Sequence, residues 1–381
     1  MDANTQASIS WWEKQSFVKA YDFVIIGAGI VGLNTAIQLR LRYPDADIAV
    51  LERGWLPSGA STKNAGFACF GSPTELLSDL QQASEADVQT LVQKRYQGLQ
   101  LLLRLLGAEA IGFEPSGGHE VFLKHESEIF AHTAAQLPML NAMLLDALPN
   151  HPVYQVRDSN RGYFGMQQVE GMIHIAGEGM LHTGKMMRAL WDYALNLGIR
   201  VFTGISVESI HETGQGAELI TTDGAAFQAS HSFVTTNGFA RMLLPELDVQ
   251  PARAQVLITE PIPSLQLQGT YHYDAGYYYF RNVGNRVLLG GGRNLDFVGE
   301  NTYLQGNTAL IMESLEGLLQ SVILPSQKFE IAHTWSGIMG IGGQKSYIVQ
   351  SVHPHVHVGV RMGGMGVALG SLVGMELSEI V

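Results

Sequence analysis

Cysteine is nearly absent from this 381-residue chain: Cys69 is the only one. An intrachain disulfide is therefore impossible, and a small secreted disulfide scaffold is excluded. Charge is sparse too, at 15% of residues, and its balance is acidic, with 23 Lys and Arg against 35 Asp and Glu. A net charge of −12 repels nucleic acid and anionic lipid, so neither is expected as a partner. No apolar run reaches the roughly 18 residues of a membrane helix. The leading segment, residues 1–17, is polar and lacks the apolar core of a signal peptide. A cytoplasmic protein is the expectation, with Trp11 and Trp12 pinning the leading segment onto the body. What the chain does have is apolar residues, 46%, and 43 glycines. That combination describes a large, well-buried globular chain with many tight turns.

The glycines are placed with purpose near the start. Phe23–Ile26 is a short β-branched and aromatic run, the pattern of a buried parallel strand. Gly27, Gly29 and Gly32 follow at once, and Leu33, Ala36, Ile37 and Leu39 then recur at helical spacing. Asp47–Gly54 reads as the next strand and carries Glu52, twenty residues after Gly32. The first glycine permits a tight turn, the second lets backbone approach a pyrophosphate, and the third lets helix and strand pack closely. A pyrophosphate rests at the helix N-terminus, and the acid accepts from ribose hydroxyls. Strand, glycine turn, helix, strand and acid together form a dinucleotide-binding signature.

The stretch Gly59-Ala60-Ser61-Thr62-Lys63-Asn64-Ala65-Gly66 offers small side chains where a flat ring would lie against bare backbone. With the Glu-terminated second strand it resembles the D-amino-acid-oxidase-like family of FAD-dependent oxidoreductases, with Lys63 in place of the usual Arg. The resemblance extends through Gly177–Ile210, His231–Ala240, Pro251–Pro261, Tyr277–Gly292, His333–Gly343 and Val360–Gly370. Within the family the likeness is to the gamma-glutamylputrescine oxidoreductase and glycine–sarcosine oxidase group. It implies non-covalent FAD, held by Gly27, Gly29, Ile30, Gly32, Glu52, Arg53, Ala60, Ser61, Lys63, Asn64, Ala65 and Gly66. Further cofactor contacts are implied from Val207, Thr236, Asn237, Gly238, Gly337, Gly363, Gly364, Met365 and Gly366. Cys69 is expected to be an inert buried thiol.

Two departures bear on chemistry. Relatives that act on amino acids carry a carboxylate-binding Arg after the Trp-x-Gly strand, and Met339 stands there. The Gly363–Ala368 stretch has no cation either. The substrate is then an amine, or an amino acid held by another cation, for which Arg281 and Lys345 are available. Residues lining the site are expected to be Tyr277, Tyr279 and Arg281, on one strand face by their even spacing, and His333. The resemblance implies oxidation of a C–N bond by hydride transfer to the flavin, giving an imine that water hydrolyses. A 2-hydroxy-acid dehydrogenase and a non-catalytic FAD-binding subunit are the alternatives. The strand Arg286–Leu289 lacks the Lys that promotes reaction with oxygen in sarcosine-oxidase-like members, so the electron acceptor is oxygen or a carrier. His353, His355 and His357 alternate as on one strand face, but without a carboxylate or a fourth ligand no metal site is expected.

The expected fold is α/β. A Rossmann-like FAD domain of the glutathione-reductase type comprises residues 1–85, 170–245 and 333–381. An α+β substrate domain with a mainly antiparallel sheet comprises 86–169 and 246–332. Ser84–Gly107 reads as one helix with Leu91, Tyr96, Leu99, Leu102, Leu103 and Leu106 as its apolar stripe.

Overall fold

Tyr21–Ile26 is a strand buried at five of its six residues, which is what a parallel strand covered on both faces requires. It belongs to a computed structural model that describes residues 10–158 and 162–381. The first nine residues of the polar leading segment lie outside the described residues. The chain divides into two compact units, one of Met1–Thr62, Gly184–Ala252 and Met339–Val381, the other of Lys63–Thr183 and Arg253–Ile338. These divisions fall at other residues than the expected boundaries at 85, 170, 245 and 333. Residues 63–85 go with the second unit because Phe70 and Leu76 pack there with Phe122, Leu140 and Tyr154.

The first unit is built on an eight-stranded sheet. Its main path runs Ile348–His353, Val356–Val360, Ala226–Val234, Tyr21–Ile26, Ile48–Glu52 and Arg200–Thr203. Pairing is parallel from Val356–Val360 through to Arg200–Thr203. The helices Ile30–Arg42 and Gly366–Ser378 pack closely because the second presents Gly370 and Gly374. A Cβ at Gly370 would stand 2.5 Å from Ile30, and one at Gly374 would stand 2.6 Å from Asn34. Trp11 and Trp12 sit on the short helix Trp11–Ser16, exposed at 66% and 76%, so they do not pin the leading segment as expected.

The second unit carries another eight-stranded sheet, in which Thr270–Tyr273 pairs with Gly118–Leu123 in parallel and with Tyr278–Val283 antiparallel. The helix Glu85–Leu106 begins on Ser84, whose side chain accepts from Asp87 N, and stops at Gly107. Its buried face is Val88, Val92, Arg95, Leu99 and Leu102; of the expected stripe Leu99 and Leu102 are buried, and Leu91, Tyr96, Leu103 and Leu106 are half-buried. Arg95 can join that face because it pairs with Glu75 at 3.1 Å and donates to Phe70 O. No helix among the described residues is long and apolar enough to cross a membrane.

Candidate functional site

The glycine turn in the first unit is a cradle that tolerates no side chain. Gly27 adopts φ +103°, and a Cβ on Gly32 would stand 1.9 Å from Gly27 O and 2.6 Å from Thr235 Oγ1. Gly29 caps the helix Ile30–Arg42 and brings no side chain of its own to that N-terminus. Ser61 Oγ accepts the Ile30 N–H at 2.9 Å, which brings the small-residue loop to that helix start. Glu52 ends its strand buried; its Oε2 accepts from Ala28 N and its Oε1 from Gly54 N, both at 3.0 Å. Arg53 is exposed, with its guanidinium 3.8 Å above the Phe239 ring. Val207 opens the strand Val207–Thr213 and is half-buried.

The remaining predicted cofactor residues of this unit include Asn237 and the loop that its side chain holds. Asn237 has φ +48°, and its Oδ1 accepts from the backbone N–H groups of Arg361 and Met362 at 3.0 and 3.2 Å. Asn237 therefore holds the start of the Gly363–Gly364 loop with its side chain. Thr236 Oγ1 beside it is buried without a partner, and Gly238 is buried. Gly363 and Gly364 adopt φ +57° and +85°, and Met365 and Gly366 lead into the helix Gly366–Ser378. Met339 puts its Sδ 3.5 Å from a Cβ position on Gly364. Lys345, one candidate clamp, is exposed.

In the second unit the small-residue loop continues. Asn64 Oδ1 accepts from Gly66 N at 2.8 Å and from Thr183 Oγ1 at 2.9 Å, closing an Asx-turn. Lys63 O accepts the Trp335 indole N–H at 2.9 Å. Ala65, Val256 and Leu288 form a small core with Phe67, Tyr279, Val283 and Trp335 packed against it. Gly337 is buried two residues beyond Trp335 on the strand Ile331–Ile341. Tyr279 fits because Gly290 is its cross-strand partner; a Cβ there would strike the phenol ring at 2.6 Å. Burial pushes the Tyr279 phenol up to about 12, so it stays neutral at pH 7.

Arg281 follows on the same strand face. It is only 6% exposed, its Nη2 would lie 3.0 Å from a Cβ on Gly66, and its Nε has no hydrogen-bond partner. Burial, opposed by the Glu114 carboxylate, brings the guanidinium down to about 10. A desolvated cation that forms no ion pair or hydrogen bond among the described residues is costly, and such a group fits a place built for an anion.

Two expectations, on Tyr277 and on the histidine series, are corrected. Tyr277 lies outside the strand Tyr278–Val283, in the turn after Asp274, Ala275 and Gly276, all three at positive φ. It is 37% exposed and packs on Phe297, so it does not share the face of Tyr279 and Arg281. His333 is exposed and stacks on Trp335. His353, His355 and His357 do not line one strand face, because a hairpin turn at 354–355 separates the strands Ile348–His353 and Val356–Val360. His357 instead bonds His231 at 3.0 Å and Ser351 at 2.9 Å. Sequence reading also missed a cavity of about 510 Å³ lined by His119, Arg157, Phe164 and His174, among others. None of the predicted site residues lines it.

Two buried histidines make stability depend on acidity. Burial, then His174 and Arg157, hold His119 down at about 3; burial, then His231 and His355, hold His357 at about 4. Both stay neutral in the fold, while the unfolded chain protonates near 6.5. The stability they contribute is complete above that value and is lost as pH falls toward 4 and 3. Each should cost about 2 kcal/mol between pH 6.5 and 5. Urea unfolding at the two pH values checks this, and His119→Leu should flatten the slope by its share.

The first unit thus has the form of a dinucleotide-binding domain. The match to the family described as FAD dependent oxidoreductase spans residues 22–380, and the chain belongs to that family. A sarcosine oxidase subunit beta of Rhodobacter capsulatus is 23% identical over 397 residues, 97% of this chain and 87% of that one. A bifunctional ThiO/ThiG protein of Synechocystis sp. is 27% identical over 238 residues, 62% of this chain and 32% of that protein. The chain spans a third to a half of the bifunctional relatives it matches. Glycine oxidase from Geobacillus kaustophilus superimposes with a TM-score of 0.73 at 20% identity, covering 95% of both chains, which is a likeness of fold.

The cofactor is FAD, and the residues present fit it. The cradle excludes a Cβ at Gly32, the residue that caps the helix is a glycine, and Thr236 Oγ1 lacks a hydrogen-bond partner among the described residues. Glu52→Gln tests the fit. One backbone N–H would then face an amide NH2 instead of a carboxylate oxygen, and ribose would lose a charged acceptor. FAD affinity should fall about 30- to 100-fold, read by equilibrium dialysis of the flavin.

Proposed function

We propose that this FAD-dependent oxidoreductase oxidises the C–N bond of an amine that carries a carboxylate, with Arg281 as the group that holds the carboxylate. The observation that carries the reading is the buried guanidinium of Arg281, which has no ion pair among the described residues. Lys345 is exposed and carries no comparable desolvation. A substrate carboxylate supplies the missing counter-charge and takes parallel N–H bonds from the fork.

Bound FAD supplies the two-electron sink. The protein's part is to position and to keep dry. Arg281 fixes the carboxylate and so orients the α-carbon. Phe67 and Tyr279, edge to face with centroids 5.7 Å apart, form an apolar wall that excludes water. Neutral Tyr279 leaves no anion beside the substrate nitrogen to hold it protonated. The amine gives up a hydride from its α-carbon and a proton from its nitrogen, and water hydrolyses the resulting imine to a carbonyl compound and an amine or ammonia.

Cofactor contacts are read as non-covalent: Gly27, Gly29, Ile30, Gly32, Ser61 and Glu52 toward the dinucleotide, and Gly363–Gly366 toward the ring. The single buried thiol supports a cytoplasmic setting. The test is substrate preference in steady state with an artificial acceptor, comparing each amino acid with its decarboxylated amine and its 2-hydroxy analogue. The reading expects turnover confined to the carboxylated amines, with the oxo acid as product. Equal turnover of the decarboxylated amines would remove Arg281 from the site, and turnover of 2-hydroxy acids alone would make the protein a hydroxy-acid dehydrogenase.

A further inference from the structure

Three side chains that the flavin chemistry does not use meet inside the second unit. Cys69, Glu178 and His272 are all buried, and one sulfur, oxygen or nitrogen atom from each lies within 4.8 Å of the other two. They come from distant stretches: Cys69 follows the strand Phe67–Ala68, Glu178 precedes Gly179–Met180, and His272 lies in Thr270–Tyr273. Glu178 is firmly held. Its Oε1 accepts from Phe70 N at 3.0 Å and from Gly71 N at 3.4 Å. Gly118 leaves room for it, since a Cβ there would stand 2.1 Å from Oε2. Yet Oε2 has no hydrogen-bond partner, and neither has Nε2 of His272, 3.6 Å away. Glu178 is 1% exposed and His272 7%. The two atoms face each other within ion-pair range but beyond hydrogen-bond distance, a spacing that one ion held between them would satisfy.

We propose that Cys69, Glu178 and His272 are the ligands of a divalent transition-metal ion, of which zinc is the best match. A tetrahedral ion with bonds of about 2.0–2.2 Å separates its nitrogen and oxygen ligands by roughly 3.4 Å, close to the 3.6 Å between Nε2 and Oε2. A mixed sulfur, nitrogen and oxygen set suits zinc and its neighbours, whereas magnesium and calcium take oxygen. The backbone bonds to Oε1 are the outer contacts that aim a ligating carboxylate.

The experiment uses the FAD-loaded enzyme, produced in medium supplemented with Zn²⁺ or with Co²⁺ and then gel-filtered. Metal per chain is measured by mass spectrometry, and the cobalt form is examined by absorption. The expected result is close to one ion per chain. The cobalt form should show a thiolate-to-cobalt band and d–d bands to the red of the flavin. Both should be absent from Cys69→Ser, whose FAD content is unchanged. Wild-type enzyme that keeps less than about half an equivalent, cobalt without the thiolate band, or metal that survives in Cys69→Ser would overturn the proposal. The wild-type measurement is decisive even if the variant fails to fold, and none of these readouts depends on the enzyme's substrate.

Discussion

Replacing Arg281 by Met raises the KM for a carboxylated substrate by about 100- to 1,000-fold, and in the same variant raises the stability of the protein. The two effects have one origin. The guanidinium is 6% exposed, unpaired at Nε, and brought down to about 10 by burial. A shift of that size corresponds to a desolvation cost of about 3 kcal/mol in the substrate-free fold. Met fills similar volume without the charge, so the variant recovers up to that amount. The substrate carboxylate then loses its charge-assisted, two-pronged partner, which such pairs value at several kcal/mol. Arg281→Lys keeps the charge but not the fork and should fall between the two. Steady-state kinetics and urea unfolding on the same preparations check both signs. A structural ion pair at Arg281 would give the opposite stability result, with the Met variant less stable and KM unchanged.

Gly32→Ala is expected to give a chain without FAD, or none that folds. The new methyl would sit 1.9 Å from Gly27 O, an atom of the turn itself, and 2.6 Å from Thr235 Oγ1. Neither is the far end of a flexible side chain. Relief requires the helix Ile30–Arg42 to move off the strand Tyr21–Ile26, which forfeits the cradle. The expected loss exceeds about 4 kcal/mol, the range reserved for overpacked or strained sites. Gly59→Ala is the matched control, since nothing lies within 4 Å of its Cβ position. The ratio of flavin to protein absorbance after gel filtration distinguishes the two. A yellow, stable Gly32→Ala protein would show that the turn is not a close-packed cradle.

Local chemistry was legible in the sequence where one short stretch carries the whole reason for its shape. The Gly27–Gly32 turn, the Ser84 start and Gly107 stop of the long helix, and the Tyr278–Gly291 hairpin are cases of this kind. Legibility failed where a neighbouring turn changed the register. The positive-φ run Asp274–Gly276 removes Tyr277 from the face that its spacing suggested. The turn at 354–355 splits a histidine series that reads as one strand. Arg95 lies on the buried face of its helix only because Glu75 and Phe70 O meet it there. The group Cys69, Glu178 and His272 was invisible for a different reason: its members lie in three distant stretches, and only tertiary packing brings them together. Arg281 and Lys345 were equivalent as letters, and burial separates them.

The central claim is that this protein binds FAD and passes electrons to it from a carboxylated amine. Its most direct test is anaerobic mixing of the purified yellow protein with amino acids and N-substituted amino acids, each beside its decarboxylated counterpart. The account predicts that the oxidised flavin band bleaches with members of the carboxylated set and persists with the carboxylate-free set. Bleaching by the carboxylate-free amines with equal efficiency, or by no amine at all, would contradict it.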